Sequence, residues 1–341
     1  MKELIGKVIE KIEKTYSNES KEIIIKRTGQ ATKRLKISKN NFQKINDNQN
    51  SRKQFLSTLS LTHPKIIFID GGNAEILKSS NFSLQFLRIY SCTYSGRKRI
   101  NGNRKEFFSI ISTKIRPDNK IEYSIEIEGN KETNKKSFII KENETEDTTS
   151  CGDIIRRNME LEECLELISK NAGNIIVIDG CLTYKTETEK KLLEEIKTKS
   201  SEKGISIIGI SKTNTIITDS GNNACIELSK IQPEGKWLYK IIQEDKMSIG
   251  ITKLYEKSKY LFRADIFGNP ESISELICIS KDPIFTGYPY PLIEADKFAR
   301  VSNKEKELLK IKIMASAGKK WSKISSLIKT SDAHSILDNI S

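Results

Sequence analysis

The chain has 341 residues, with 58 Lys+Arg against 45 Asp+Glu and a formal net charge of +13. That length can bury a sizeable core in one large domain or two ordinary ones, and the basic balance suits a polyanionic partner, because each neutralised phosphate releases condensed counterions. Two histidines and six scattered cysteines with no CxxC pair argue against histidine-centred catalysis, a zinc site or a disulfide framework, so an active site here leans on carboxylates.

The chain opens on "MKELIGKVIEKIEK", where Leu4, Val8, Ile9 and Ile12 share one helical face. This reads as an amphipathic helix rather than a secretion signal. No apolar window approaches the roughly 20 residues of a bilayer span, and a cytoplasmic protein is expected. A polar link through "NNFQKINDNQNSRK" follows. Residues 1–62 are therefore expected to form a helical arm with its link, and residues 63–341 the main domain. After Pro64, "KIIFI" (65–69) is a continuous apolar run, as expected for a strand buried on both faces. Strands are expected at 84–94, 106–115 and 121–128, joined by hairpin-like links that include "NGN" at 101–103. The polar stretch 141–150 ends in Thr and Ser that can cap a helix from about Gly152 to Lys170, striped by Ile154, Leu161, Leu165 and Ile168. "NIIVID" (174–179) is a second buried strand, a helix over 186–203 is closed by Gly204, and "ISIIGIS" (205–211) is a third strand. Further strands are expected at 237–242, 248–254, 259–266 and 275–280, then a helical tail from about Pro291 to Thr330. Meandering strands followed by helix, strand, helix, strand predict a mixed α/β sheet flanked by helices.

Two of the buried strands end in Asp-Gly, at Asp70 and at Asp179. Taken singly, such a step is commonly only a turn, since Gly accepts positive φ and Asp bonds its local backbone. As neighbours in one sheet, however, the two strand ends would lie about 5–10 Å apart. Carboxylates that close repel unless they share a proton or a cation. The helix before Asp179 adds Glu160, Glu162 and Glu163 beside its apolar stripe, with Glu160 placed to reach over the sheet edge; a solvated helical face is the plainer reading of such a run. Hard oxygen donors of this kind suit Mg²⁺ or Mn²⁺. With two ions roughly 3.5–4 Å apart, one activates water and the other steadies a leaving 3′ oxygen. In "GYPYPLIEADKFARVS" (287–302), Pro289 and Pro291 set an extended entry into a helix that carries Asp296 in its first two turns, with Tyr288 and Tyr290 near it.

In order and spacing, "IDGG" (69–72), "RRNME" (156–160), "VIDGCL" (177–182), "GISKT" (209–213), "GYPYPL" (287–292) and "HSILD" (334–338) resemble the NurA-type nucleases of archaea and some bacteria. The resemblance covers roughly residues 60–341 and implies an RNase H-like fold. It also implies a Mn²⁺- or Mg²⁺-dependent nuclease acting on single-stranded DNA and DNA ends, typically 5′ to 3′. Such proteins are usually homodimers that work with the hexameric translocase HerA in end resection at double-strand breaks. Carried over by motif, Asp70 is the first-strand acid, Glu160 the helix acid, Asp179 the later-strand acid and Tyr288 the active-site tyrosine; Glu162 or Glu163 takes the place of Glu160 if the register shifts. The sequence departs from the pattern at Asp296, where the family commonly has His. An aspartate there can still ligate a hard cation, so Asp70, Glu160, Asp179 and Asp296 form the expected ligand set. Lys212 and Arg263 are candidate phosphate contacts, or ordinary surface charge, and Tyr288 could stack an unpaired base.

Two other functions fit the same residues. A non-catalytic DNA-binding or adaptor subunit would keep the fold while its site decays, and a resolvase or transposase-like enzyme would share the carboxylates without the "GYPYPL" stretch.

Overall fold

The computed structural model describes residues 19–25, 32–46, 63–79, 81–129, 136–145, 147–244 and 247–331. The amphipathic face of Leu4 to Ile12 and the "HSILD" stretch lie outside them. Fourteen strands are described. β1 (Glu22–Ile25), β2 (Lys33–Lys36) and β3 (Phe42–Lys44) precede the long meander β4 (Lys65–Ser79), β5 (Phe82–Ser95), β6 (Lys98–Ile115), β7 (Ile121–Gly129) and β8 (Lys136–Lys141). Two crossovers follow: α1 (Cys151–Ser169) leads to β9 (Ile175–Asp179), and α2 (Glu187–Glu202) to β10 (Ser206–Ser211). After β11 (Ile217–Thr218) and α3 (Ala224–Ile231) come the antiparallel strands β12 (Trp237–Glu244), β13 (Met247–Lys253) and β14 (Phe262–Phe267). The last described elements are α4 (Tyr290–Ala299), α5 (Asn303–Ala317) and α6 (Lys320–Ser331).

Eleven strands form one mixed sheet in the order β3-β12-β13-β14-β10-β9-β4-β5-β6-β7-β8, and β11-β1-β2 form a small second sheet. Within the large sheet, β4, β9 and β10 run parallel and the meander β4-β5-β6 antiparallel. A three-stranded meander followed by two parallel crossovers, in the order β6-β5-β4-β9-β10, is the RNase H-like arrangement. β4 shows why its run is apolar throughout: Ile67 and Ile69 enter the core shared with α1 and α2, while Ile66 and Phe68 enter the core under α4. Among the described residues no helix is long and apolar enough to cross a membrane.

Four local expectations are corrected. "NGN" is no turn: Asn101–Asn103 pair with Ser91–Thr93 inside β6, and the chain reverses at Gly96, whose φ of +58° makes the tight turn. Residues 275–280 are the end and C-cap of a 3-10 helix, Pro270–Ile279, started by Pro270 and by the Asn269 side chain accepting from Glu271 N (3.0 Å). The helical tail is three helices, broken at Arg300–Ser302 and at Gly318. Ser150 occupies the position before α1, but its side chain makes no capping bond. In addition, the stretch read as a polar link supplies an edge strand, β3 pairing with β12.

Candidate active site

β4 and β9 pair in parallel with Ile69 opposite Ile178, which sets Asp70 beside Asp179 at one edge of the sheet. α4 brings Asp296 to the same edge. One carboxylate oxygen from each of Asp70, Asp179 and Asp296 lies within 4.8 Å of the others. β10 ends one residue before Lys212, whose Nζ sits 2.7 Å from Asp179 Oδ2 and 3.7 Å from Asp296 Oδ1. The Tyr288 hydroxyl donates to Asp179 Oδ1 (3.0 Å), and its ring lies 5.4 Å from the Lys212 ammonium. Five residues from three strands, one helix and their flanking turns therefore converge on one point.

α4 is seated firmly enough to fix Asp296. Glu294, buried, accepts from Tyr90 (3.1 Å), Tyr94 (2.5 Å) and Arg99 Nε (2.7 Å), all reaching from the β5-β6 hairpin. Arg300, just past the helix end, donates to Asp296 Oδ2 (2.7 Å). Its own carbonyl accepts from buried Arg88 (3.1 Å).

The electrostatics follow from burial. Asp70 is 5% exposed. Burial pushes its carboxyl well above the usual carboxylate range, and the charges of Asp179 and Glu160 add to this; Lys212 and the Gly71 N–H pull the other way. Burial also raises the Tyr288 phenol, reinforced by Asp179, so the hydroxyl keeps its proton and acts as a donor. For Lys212 burial alone would favour the neutral amine, but the Asp179 charge and hydrogen bond outweigh it and the pKa rises. The donor set fits a hard divalent cation: three carboxylate oxygens converge, and the same oxygens hold the Lys212 ammonium.

Glu160 lies next to this cluster but not in it. It is 0% exposed, and its carboxylate is held by Arg156 and by Arg157 Nη1 (3.0 Å). A Cβ on Gly71 would lie 2.7 Å from Glu160 Oε1, so the carboxylate abuts the backbone immediately after Asp70. Glu162 instead pairs with Lys136, and Glu163 with Lys105 (2.5 Å) and the Ser91 hydroxyl (3.0 Å). Of the three glutamates, only Glu160 approaches the site. The arginine pair was missed in the sequence, although "RR" three and four residues before Glu160 is the spacing that puts these charges on one helical face.

Two expectations are overturned by burial. Tyr288 is 0% exposed, so its ring cannot stack a base. Arg263 is 6% exposed, and its Nε and Nη2 are held by Asp265 (2.8 and 2.9 Å), so it is turned into the sheet rather than out to a phosphate. Burial works against its charge, but Asp265 outweighs this and raises the pKa. Asp265 Oδ2 also accepts from Leu182 N (2.9 Å), so the pair braces the turn after Asp179. Asp265→Ala strands a buried guanidinium and is expected to destabilise the protein by about 3–5 kcal/mol. An unchanged chemical-denaturation midpoint would contradict that role.

A family model described as the NurA domain matches residues 64–301. Among solved structures, the chain is similar to the NurA nuclease from Sulfolobus solfataricus, at 17% identity and a TM-score of 0.47, covering 79% of this chain and 94% of that one. Human ENDOV matches at 12% identity and a TM-score of 0.35, over 70% of this chain and 83% of that one. Marinitoga piezophila Argonaute matches at 13% identity and a TM-score of 0.30, over 69% of this chain and 29% of that one. No protein of curated function matches significantly.

Proposed function

The chain belongs to the NurA family, and from that membership we propose that it is a divalent-metal-dependent DNA nuclease, a hydrolase of phosphodiester bonds. The observation that carries the reading is the convergence of Asp70, Asp179 and Asp296 within 4.8 Å, from two neighbouring strands and a separate helix. These three would hold a Mn²⁺ or Mg²⁺ ion. Such an ion supplies Lewis-acid polarisation of the phosphate and lowers the pKa of water. A second ion would call on Glu160, whose carboxylate Arg156 and Arg157 hold.

The chain's own residues have separable tasks. The Tyr288 hydroxyl fixes the orientation of Asp179 by donating to Oδ1. Lys212 offsets the charge of the carboxylate cluster, and its ammonium, 36% exposed at the side chain, would be placed to meet a phosphate oxygen of a bound strand. Asp296 stands where the family commonly has His, and its place within the carboxylate cluster supports a working site over a decayed one. We take the nuclease unit to begin near residue 63. Within this reading the substrate is single-stranded DNA and duplex ends, cut internally and from 5′ to 3′ during end resection at double-strand breaks. The working form is a cytoplasmic homodimer partnered by a HerA-type hexameric ATPase.

The test is degradation of 5′-labelled single-stranded DNA with Mn²⁺ or Mg²⁺, comparing wild type with Asp179→Ala. Wild type should cut. The variant should be slower by roughly a hundredfold or more, because losing a ligand costs at least what losing a supporting partner costs. No cutting by wild type across a sweep of metals and pH would sink the proposal in favour of the adaptor reading, and so would equal rates.

A further inference from the structure

Tyr288 cannot stack a base, but it is the buried end of an aromatic ladder whose other end is exposed. Its ring stacks on Phe285 (centroids 5.2 Å apart, 23° between planes), and Phe285 meets Tyr260 edge to face at 5.1 Å. Phe262 braces both inner rings, at 5.6 Å from Phe285 and 5.1 Å from Tyr288. Tyr260 is 57% exposed, and Ile284, next to Phe285 in the chain, is also exposed. The Tyr260 ring thus stands two ring spacings from the tyrosine that touches Asp179.

Topology puts that exposed ring on the active-site side. Ser211, the last residue of β10, pairs with Arg263 at the start of β14, and Thr252 of β13 pairs with Phe262. The loop 254–261 therefore emerges at the sheet edge that carries Asp179 and Lys212, where ligands of open α/β sheets bind. The loop is also stitched in place. Ser258 Oγ accepts from Tyr260 N (3.0 Å) and donates to Thr286 O (2.9 Å), and Gly287 leaves room for it, since a Cβ there would collide with that hydroxyl. Lys257 and Lys259 flank Tyr260 in the chain and Lys281 lies four residues before Phe285, all three exposed and without an ion pair among the described residues; Glu256 is the exposed acid of the loop. A single exposed tyrosine is ordinary. A rigidly held one, backed by an aromatic ladder to a carboxylate cluster and flanked by unpaired lysines, has the makings of a single-strand stacking platform.

We propose that Tyr260 is the stacking platform for an unpaired base of the strand being cut, with Lys257, Lys259 and Lys281 following its phosphates. The proposal rests on the nuclease reading and adds a single-strand subsite to it. Stacking is sequence-tolerant because every base has a π face, so the platform selects unpaired strands rather than sequences.

The experiment measures binding of a fluorescent oligothymidylate and of a blunt duplex in EDTA, for wild type, Tyr260→Ala, Tyr260→Phe and Tyr260→Trp. Tyr260→Ala should weaken oligothymidylate binding about tenfold or more, the range expected for losing one base–aromatic stack. Its salt slope should match wild type because no charge is removed. Phe should bind within about twofold of wild type and Trp at least as tightly, while duplex binding stays unchanged in all four. With Mn²⁺, the loss should appear in KM for single strands and not in kcat. Circular dichroism confirms that Tyr260→Ala folds, and the Phe and Trp variants keep the test valid if it does not. If wild type binds and cuts single strands but Tyr260→Ala binds them equally well, the platform is wrong and the nuclease reading stands. If wild type neither binds nor cuts DNA, both fall together.

Discussion

Asp70→Asn is expected to abolish metal-dependent cutting and, in metal-free buffer at neutral pH, to make the protein more stable. Both effects come from one cause. Asp70 is buried beside two other carboxylates, and ionising it there is costly because burial penalises the charge and Asp179 and Glu160 repel it. Its pKa in the folded protein is therefore above that of the unfolded chain, near 3.9. Between those two values the folded state binds the proton more tightly, so stability falls as pH rises through the window, and above it the full penalty is present. Asparagine keeps the acceptor that Gly71 N uses at 2.8 Å but carries no charge. The difference between variant and wild type should accordingly be near zero at about pH 4 and grow towards neutrality. A gain of 1 kcal/mol would read as a rise in Tm of about 2–4 °C. Mn²⁺ should reverse the order, stabilising wild type by binding the folded state alone while leaving the variant unmoved. Thermal scans in EDTA and in Mn²⁺ across that pH range decide the matter. A variant less stable than wild type in EDTA at pH 7 would refute the account. Such a trade between stability and activity is what a site built to hold a cation predicts for its metal-free state.

The parts of this site that sequence made legible are those set by strand burial. "KIIFI" and "NIIVI" could only be strands covered on both faces, and adjacent buried strands must bring Asp70 and Asp179 together. Asp296 was legible from its distance past two prolines that fix the start of α4. What stayed hidden was the depth at which each charged or aromatic group sits. Lys212 and Arg263 look alike in sequence, each at one end of a central strand, yet one faces the carboxylates and the other is paired inside the sheet. That difference is set by Asp265, two residues beyond Arg263 on the same face of β14. Nothing in the sequence separates Tyr288 from Tyr260 either, yet Phe285 stands between them with one ring buried and the other exposed. Short edge strands such as β3, with three polar or half-buried residues, carry too little apolar signal to separate them from a link. The Asp70-Gly71 step, of a kind that taken singly is commonly a turn, is no turn here, and the glycine after it is more instructive.

β4 continues unbroken through Gly72, which pairs with Arg88 of β5. The residue is small because another backbone crosses it. A Cβ on Gly72 would press against the carbonyl oxygen of Ala299, with the carbonyl carbon at 2.9 Å and Arg300 Cα at 3.3 Å. Backbone atoms cannot swing aside as a side chain can, so the end of α4 must move. That end lies three residues beyond Asp296, and the Arg300 carbonyl that Arg88 holds would move with it. Gly72→Ala is therefore expected to cost about 1–3 kcal/mol in overpacking, and Gly72→Val more. Because the displaced helix carries one of three carboxylates, Mn²⁺ affinity should fall by about tenfold or more, the loss typical when a ligand is no longer held in place. Gly204→Ala supplies the contrast. It sits at φ +65° with nothing within 4 Å of an added Cβ, so it should cost about 1 kcal/mol of backbone strain with metal affinity untouched. Calorimetric titration of Mn²⁺ into both variants, alongside their denaturation midpoints, separates the two mechanisms. If Gly72→Ala bound Mn²⁺ as wild type does, the contact between strand and helix would not be what holds Asp296 in the site.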